Sequence, residues 1–292
     1  MFWDRDVVIR VDGGICSQIS FVAMGLFLSK ACGQSVSYDL SWYREHGRDN
    51  TGTVVRRWDF PLAFPGLKVK VADEGGIARA RKAKCWQSGF AKDIRGPAYV
   101  CGYPEKDSYV LREREVLSGL FRPEVPDKVR CLAARLEGYE TCAVHVRRGD
   151  LSQFNPAYGH PTSLDFFLRA MKIVSGIGSR VRFFFFSDDP EYVRSAILPA
   201  VSDTSVCEVI DENSAEQGYL DLYLMSCCRY VIGSQGSLGA FAAMLGERNE
   251  LLVTPVRHDR MFASGMRVVY LNDDRFYAPP IDDYLILMGE GS

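Results

Sequence analysis

The sequence lacks the features that mark several common classes of protein. Its nine cysteines include no C-x-x-C pair, which argues against a zinc ribbon or a thioredoxin-type site. No stretch reaches the roughly 18 to 20 apolar residues that a bilayer span requires, and the opening residues lack the basic segment and apolar core of a secretion signal. With 35 basic and 37 acidic residues the net charge is −2, so no overall positive field exists to hold nucleic acid. These absences predict a reduced, cytoplasmic protein that does not bind nucleic acid.

The composition is that of an ordinary globular chain. Its 292 residues are 47% hydrophobic and 25% charged, and this length suits one large or two medium α/β domains. Arginine supplies 26 of the 35 basic residues. The planar guanidinium suits anion recognition, although genome base composition produces the same bias.

Apolar runs alternate with segments of helical spacing, which predicts a parallel α/β architecture. The first half begins with a strand at residues 7–11, a helix at 15–32 and a strand at 35–40. In the second half, four consecutive phenylalanines within 181–186 are typical of a strand covered on both faces. The break between the halves falls near Gly138, which predicts domains of residues 1–138 and 139–292 with a site between them. Residues 42–65 are interpreted either as a long loop facing that site or as a solvated connection.

The strongest motif, from His145 to Asp150, follows the predicted strand 141–146. Ligands of open α/β sheets bind at this carboxyl edge. Two adjacent arginines, Arg147 and Arg148, are costly to bury unless an anion meets them, and their forked donors match phosphate oxygens. Gly149 permits a sharp turn. The alternative is an Arg–Asp ion pair that fixes the loop.

A second loop, Asp12-Gly13-Gly14, joins the first strand to the first helix, in which Gln18 follows. Glycines at that position let a ligand approach the backbone and the helix N-terminus. The loop matches neither G-x-G-x-x-G nor a P-loop, so a simple tight turn is the alternative.

A third loop carries Asp188 and Asp189 directly after the phenylalanine-rich strand. One carboxylate can accept hydrogen bonds from the adjacent N1–H and N2–H donors of guanine. The same residues are also suited to capping the next helix or to holding a metal.

The fourth loop again joins a predicted strand to a helix. Small residues before a helix N-terminus favour an anion cradle, and an ordinary capped helix is the alternative. Its residues are Ser234, Gln235, Gly236, Ser237 and Leu238. Together the four loops predict a nucleotide diphosphate bound between the two halves.

Four blocks in this order resemble the bacterial α-1,2-fucosyltransferases of glycosyltransferase family 11. They are GGICSQISFVAMG, VHVRRGD, FSDDPEYV and DLYLMSCCRYVIGSQGSLGAFAAML. The H-x-R-R-x-D pattern is shared with α-1,6- and protein O-fucosyltransferases. The segment YDLSWYREHGRD…RRWDFPLAFP resembles O-antigen members of the family.

The resemblance implies a GT-B fold, in which two Rossmann-like domains face a central cleft. It further implies an inverting, metal-independent enzyme without a cofactor that transfers L-fucose from GDP-fucose to a glycan hydroxyl, such as galactose O2, in O-antigen or related polysaccharide synthesis. The C-terminal domain would bind the donor.

Family membership also implies roles for individual residues. Arg147 would contact the diphosphate, with Arg148 and His145 supporting the site. Asp188 or Asp189 would read guanine, and Ser237 with its neighbours would lie at the phosphates. From the N-terminal side, Gly13, Gly14 and Gln18 would line the cleft.

Two departures from the family pattern leave rival interpretations open. Ser17 stands where the first loop usually has Asn, and the block from Gln235 to Phe241 replaces N-S-S-F-S-W-W. A different nucleotide-sugar donor and a catalytically decayed binding protein are the alternatives. A Rossmann oxidoreductase is disfavoured because the glycine fingerprint is missing.

The general base for the acceptor hydroxyl stays open at this stage. His145 and Asp150 lie in the arginine loop, while Asp12 and Asp39 follow strands of the first half and, with Trp42, would form the acceptor side. A basic run at residues 77–84 suits an undecaprenyl-diphosphate-linked glycan or peripheral contact with the inner membrane face, or is simply a solvated helix face.

Overall fold

A computed structural model describes most of the chain. The described residues are 5–49, 52, 54–83, 85–86, 94–102, 106–151, 160–178, 180–211, 213, 215–255, 266–273 and 285–287. They form two compact units, the N-terminal unit Met1–Glu124 and the C-terminal unit Val125–Ser292.

The N-terminal unit is built on a parallel sheet. Its elements are β1 (Asp6–Arg10), α1 (Ile15–Cys32), β2 (Ser35–Asp39), α2 (Ser41–Glu45), α3 (Phe60–Ala63), α4 (Glu74–Ala83), β3 (Cys85–Trp86), β4 (Ala98–Val100) and α5 (Lys106–Leu120). The strands lie in the order β2-β1-β4-β3, and every pairing is parallel. The apolar spacing of residues 68–72 predicts a further, weaker strand, but this segment forms only one bridge, between Val71 and Tyr38, before the chain turns at Asp73 into α4.

Helix α1 is the core helix of this unit and has the bounds that the spacing predicts. It ends at Gly33, whose left-handed φ of 63° is favourable for glycine. It packs against α5, where Lys30 pairs with Glu113 at 2.6 Å. Among the described helices it alone has the length and hydropathy of a membrane span, contrary to the expectation of no such stretch, but 61% of it is buried inside the protein.

The C-terminal unit has a larger, mainly parallel sheet. Its elements are α6 (Asp127–Glu137), β5 (Thr141–Val146), α7 (Leu164–Ser175), β6 (Arg182–Ser187), α8 (Pro190–Tyr192), β7 (Cys207–Ile210), α9 (Gly218–Ser226), β8 (Tyr230–Ile232), α10 (Leu238–Leu245), β9 (Leu251–Thr254), β10 (Arg267–Tyr270) and β11 (Leu285–Leu287). The order of the described strands is β11-β10-β9-β8-β5-β6-β7, with only β11 antiparallel.

The phenylalanine run of β6 is buried on both faces, as predicted. Phe183 and Phe185 join the core with Phe166 and Phe167 of α7, while Phe184 alternates to the opposite face and is also fully buried. Apolar packing of this strand fixes the position of the loop that follows it.

The boundary between the units lies 14 residues before the predicted one at residue 138. Helix α6 belongs to the C-terminal unit because it packs against α9. Thr141 Oγ1 also donates to the carbonyl of Leu136 at 3.0 Å, and Arg135 pairs with Glu208 of β7. The residues just before Gly138 therefore form a helix of the C-terminal unit.

Candidate functional site

The candidate site of the C-terminal unit lies at the carboxyl edge of its sheet. Strands β6, β5 and β8 are neighbours and run in parallel, so the loops after them emerge at the same edge. Three of the four predicted loops, those beginning at Arg147, Asp188 and Gly233, are thereby brought together.

Arg147 lies across the loop that precedes α10. Its backbone N–H donates to Ser234 Oγ at 3.0 Å. A Cβ placed on Gly236 would fall 2.6 Å from Arg147 Nη1, and Gly236 has φ +97°. Only glycine therefore fits both the backbone conformation and the close approach of the guanidinium.

His145 is linked to Arg147 through Ser234. Its Nδ1 lies 3.2 Å from Ser234 Oγ, the same atom that accepts from Arg147. Burial lowers the pKa of His145 to about 3, and the neighbouring charge of Arg147 acts in the same direction. With its pKa lowered this far, the imidazole binds a proton only weakly, and His145 is only 7% exposed, so it does not fit the role of general base for which it was one candidate.

The second arginine and the two aspartates form one connected group. The Arg148 guanidinium carbon lies 3.6 Å from the ring centroid of Tyr192, and its Nε lies 3.4 Å from Asp189 Oδ2. Asp189 Oδ1 accepts from Tyr192 N–H at 3.1 Å, so Asp189 caps α8, as one alternative proposed. The ion-pair alternative also holds in part, since Arg148 pairs with Asp189.

Asp188 is the exposed carboxylate of this group. Its Oδ1 accepts the Arg148 N–H at 2.7 Å, and a Cβ on Gly149 would fall 2.9 Å from its Oδ2. Within the described part of the chain, Oδ2 accepts no hydrogen bond. Asp150 lies in the short 3-10 turn Gly149–Leu151, and its side chain is outside the described structure.

Gln235 was predicted to contact the nucleotide-sugar donor, but its side chain points into the protein. Its side chain is fully buried: Oε1 accepts from Thr162 N–H at 2.7 Å and from the Thr162 hydroxyl, while Nε2 donates to the His160 carbonyl. Its amide ties segment 160–162 to the site loop, and its backbone N–H also donates to Thr162 Oγ1 at 3.1 Å, so Gln235 supports the loop from inside the protein. Ser237 precedes Leu238 at the start of α10 and forms no side-chain cap.

Sequence reasoning missed two supports of this edge. A Cβ on Gly239 would fall 2.9 Å from the Gly233 Cα, so α10 starts against the end of β8. Ser163 N–H donates to the buried Asp273 at 2.8 Å, which links α7 to the segment after β10. The glycine spacing was visible in the sequence, whereas nothing local pointed to Asp273.

The first loop of the N-terminal unit is organised by Gln18. Gly13 has φ +75°, and its carbonyl accepts from Tyr43 Oη at 3.1 Å and from Gln18 Nε2 at 3.3 Å. Gln18 also donates to the Arg57 carbonyl at 2.6 Å. Gln18 was predicted to line the cleft, but it is 0% exposed and instead joins the two loops from inside the protein.

Two other predicted residues lie in the same loop. Gly14 is the N-cap of α1. Asp12 lies two residues earlier, and its Oδ1 is buried and accepts no hydrogen bond from the described residues.

The carboxylate of Asp39 is buried and accepts hydrogen bonds from several neighbouring groups. It accepts from Ser41 N–H at 2.9 Å and from Tyr99 Oη at 2.8 Å, and Arg81 Nη2 lies 3.5 Å away. Burial acts to raise the pKa of Asp39, but these donors outweigh burial and hold it below its ordinary value. The carboxylate is 0% exposed, so it does not fit the predicted acceptor-side base. Arg81, a residue of the basic run, therefore contacts Asp39 while its side chain stays 53% exposed.

Trp42 stands on α2 with its ring packed edge-on against Tyr43 at 5.1 Å. Tyr43 in turn lies 6.3 Å from the ring of Trp58. All three aromatic residues are partly exposed. Trp42, which was predicted to lie on the acceptor side, is therefore part of an aromatic strip.

Asp59, which follows Trp58, was not among the predicted residues. Burial raises the pKa of Asp59 to about 6, against the opposing effect of Arg57 and Arg56. The Asp59 N–H donates to Gln18 Oε1 at 3.0 Å. Within the sequence this residue is one aspartate in a polar loop, so only its burial reveals it. No group of three or more potential metal ligands occurs among the described residues.

The sequence profile of glycosyl transferase family 11 matches residues 97–273, more than half of the chain. The chain therefore belongs to glycosyl transferase family 11. A search of curated proteins found no significant match.

Solved structures share the fold at low sequence identity. Fucosyltransferase NodZ from Bradyrhizobium is 15% identical, with a TM-score of 0.50 over 98% of this chain and 99% of that one. A family 9 glycosyl transferase from Veillonella parvula is 14% identical, with a TM-score of 0.50 over 94% and 89%. POFUT1 with GDP-fucose is 11% identical, with a TM-score of 0.50 over 85% and 97%. The predicted α/β fold of GT-B type, with two Rossmann-like domains, is confirmed.

Proposed function

We propose that this glycosyltransferase transfers L-fucose from GDP-fucose to a glycan hydroxyl. The observation that carries the proposal is the guanidinium of Arg147 lying across Gly236 at the start of α10. A cation beside backbone N–H groups at a helix start suits a diphosphate. Of the proteins of similar fold, NodZ was crystallised with GDP and POFUT1 with GDP-fucose, which supports this donor.

Arg147 has the central role in the proposed reaction. When GDP leaves, negative charge develops on the β-phosphate and the sugar gains oxocarbenium character. A positioned guanidinium stabilises that charge without reorganising during the reaction, and loss of one such donor typically costs about 3 to 4 kcal/mol of barrier. Ser234, which also contacts His145, holds the Arg147 backbone. As the family resemblance implies, attack is proposed to proceed with inversion and without a metal.

Asp188 is the proposed reader of guanine. Its exposed Oδ2 accepts no described hydrogen bond, whereas both oxygens of Asp189 are engaged with Tyr192 and Arg148. A carboxylate accepts well from the N1–H and N2–H edge, which adenine does not offer. The remaining loop groups, the backbone of Gly236 and the Ser237 hydroxyl, would meet the phosphates.

The acceptor is proposed to be a galactose O2 in a surface polysaccharide such as O-antigen, made at the cytoplasmic side. NodZ is described as an α-1,6-fucosyltransferase, so the linkage rests on the sequence resemblance alone. The exposed Arg79 and Lys82 of α4 suit an undecaprenyl-diphosphate or an anionic membrane surface. Lys84 is outside the described residues.

The test is transfer of labelled fucose from GDP-fucose to lactose. We expect Arg147→Ala to abolish transfer with the fold intact, while Arg130→Ala, which removes an exposed arginine paired with Asp127, retains wild-type activity. Full transfer by Arg147→Ala would refute the donor site. GDP binding without transfer in the wild type would instead favour a nucleotide-sugar binding protein.

A further inference from the structure

The two adjacent arginines of the site contact loops on opposite sides of β5. In the sheet, β5 lies between β8 and β6, so the loop that follows it has a different neighbour on each side. The guanidinium of Arg147 lies against Gly236, in the loop after β8. The backbone N–H of Arg148 instead donates to Asp188 Oδ1, in the loop after β6, at 2.7 Å. The two arginines therefore belong to different parts of the carboxyl edge.

The guanidinium of Arg148 lies over an aromatic ring that is itself held in place. Its central carbon is 3.6 Å from the ring centroid of Tyr192, and its Nε is 3.4 Å from Asp189 Oδ2. The Tyr192 ring packs against the apolar core of the C-terminal unit, and the Tyr192 N–H donates to Asp189 Oδ1 at 3.1 Å. Tyr192 and Asp189 together therefore fix the position of the guanidinium.

The charges around Arg148 do not favour a phosphate. An arginine binds phosphate through its N–H edge, where two donors meet two oxygens. Here the Nε side of that edge faces the carboxylate of Asp189, and the backbone of Arg148 binds the carboxylate of Asp188. Both carboxylates would repel an anion placed beside them. A neutral group is not repelled in this way.

A nucleobase fits these surroundings. Bases stack on arginine planes and on aromatic rings, because every base has a flat π-face. The Arg148 side chain keeps 20% exposure although Tyr192 lies on one face of it. The neighbouring Asp188 Oδ2, which accepts no described hydrogen bond, suits the N–H edge of guanine. A stacking surface and a carboxylate for the base edge thus lie side by side.

We propose that the base of the nucleotide-sugar donor stacks on the guanidinium of Arg148, and that Tyr192 is the positioning residue behind it. The proposal rests on the proposed use of GDP-fucose and concerns its nucleoside. The base lies on the β6 side of the arginine loop, and the diphosphate lies on the β8 side, beside Arg147 and Gly236. Arg148 therefore contributes affinity for the base and not for the phosphates.

The experiment compares three ligands on Arg148→Lys and Tyr192→Leu, both of which keep the net charge of the wild type. The Kd for GDP is measured by calorimetry, and those for guanosine and pyrophosphate by displacement of GDP. We expect each variant to bind GDP and guanosine about 10-fold more weakly, as for loss of a base stack, and pyrophosphate within twofold of wild type. Arg147→Lys should show the reverse pattern, with weaker pyrophosphate and unchanged guanosine binding.

Two further variants separate stacking from other effects. Tyr192→Phe keeps the ring beneath the guanidinium, so it should bind GDP within twofold of wild type. Arg112→Lys removes an exposed arginine that lies 5.2 Å from the ring centroid of Phe27 in the N-terminal unit, and it should bind all three ligands as the wild type does. Thermal unfolding of each variant establishes that folded chains are being compared.

Several results would overturn the proposal. Weaker pyrophosphate binding by Arg148→Lys, with guanosine binding unchanged, would assign Arg148 to the phosphates. Unchanged binding of all three ligands would show that the contact between Arg148 and Tyr192 only fixes the loop. Failure of the proposed function is distinguishable from both, because the wild type itself would then not bind GDP.

Discussion

The Nη1 atom of Arg147 lies 2.6 Å from where a Cβ on Gly236 would be, so the guanidinium and this glycine are fitted to each other. Gly236→Ala should displace Arg147 and also strain a residue with φ +97° by about 1 to 3 kcal/mol. We expect GDP affinity to fall at least tenfold, measured by calorimetry on the folded variant.

Gly33→Ala separates backbone strain from displacement of the guanidinium. Gly33 also has a positive φ, 63°, but the nearest side-chain atom would be 3.7 Å from its Cβ. This variant should lose stability and keep wild-type GDP affinity. If both variants lost affinity alike, the contact between Arg147 and Gly236 would not be what holds the donor.

Asp188→Asn should relax the choice of nucleotide. If Asp188 Oδ2 accepts from guanine, loss of its charge removes a charge-assisted hydrogen bond of about 1.5 to 3 kcal/mol, or roughly 10- to 100-fold in affinity. We expect GDP binding to weaken by that factor and ADP binding to stay unchanged. Asp203→Asn is the matched control, since Asp203 is exposed and the described donors to its carboxylate both belong to Ser205. Equal losses for GDP and ADP would contradict base recognition.

Tyr99→Phe should destabilise the N-terminal unit in a pH-dependent way. Tyr99 Oη donates to the buried Asp39 at 2.8 Å, and loss of a donor to a buried group costs about 1 to 3 kcal/mol. Because the pKa of Asp39 is held below 3.8, the stability it contributes is present above about pH 4 and is lost as the pH falls through the lower folded pKa.

Urea unfolding should therefore show the full deficit of Tyr99→Phe at pH 7 and a smaller one near pH 3. Tyr139→Phe, at an exposed tyrosine of the other unit, should match wild type at both pH values. A deficit that does not change with pH would show that Tyr99 acts through packing alone.

Asp59→Asn should be more stable than the wild type at alkaline pH. Burial raises the pKa of Asp59 to about 6, so the folded chain binds this proton more tightly than the unfolded chain does. That contribution is present below about pH 4 and is lost as the pH rises through about 6. Asparagine does not ionise, so the variant should unfold at a higher temperature than wild type at pH 8, with the difference closing below pH 4. A variant less stable than wild type at pH 8 would contradict this.

Local sequence patterns predicted most of the elements that position the site. Helix α1 and strand β5 have the predicted bounds, and the phenylalanines of β6 are buried as their continuous run requires. The carboxyl-edge rule then brought the loops at Arg147, Asp188 and Gly233 together. Such features depend on neighbouring residues and on strand direction, both of which a sequence displays.

The errors concern side chains whose partners are distant in the chain. Gln18 and Gln235 were predicted to meet a ligand, but their amides bind backbone groups 39 to 75 residues away. Asp59 was overlooked because only its burial distinguishes it from other loop aspartates. The break was predicted near Gly138, after helix α6, because the packing of that helix on α9 depends on residues far along the chain.

The most direct test of the account is a thermal-shift panel of GDP, UDP, CMP and ADP, each with its common sugar conjugates, on the wild type and on Arg147→Ala. A ligand that binds only the folded state adds about 2.7 kcal/mol at a hundredfold excess over its Kd. We predict stabilisation of the wild type by GDP and GDP-fucose alone, and none of Arg147→Ala. Stabilisation by another nucleotide, or an equal GDP shift in the variant, would contradict the account.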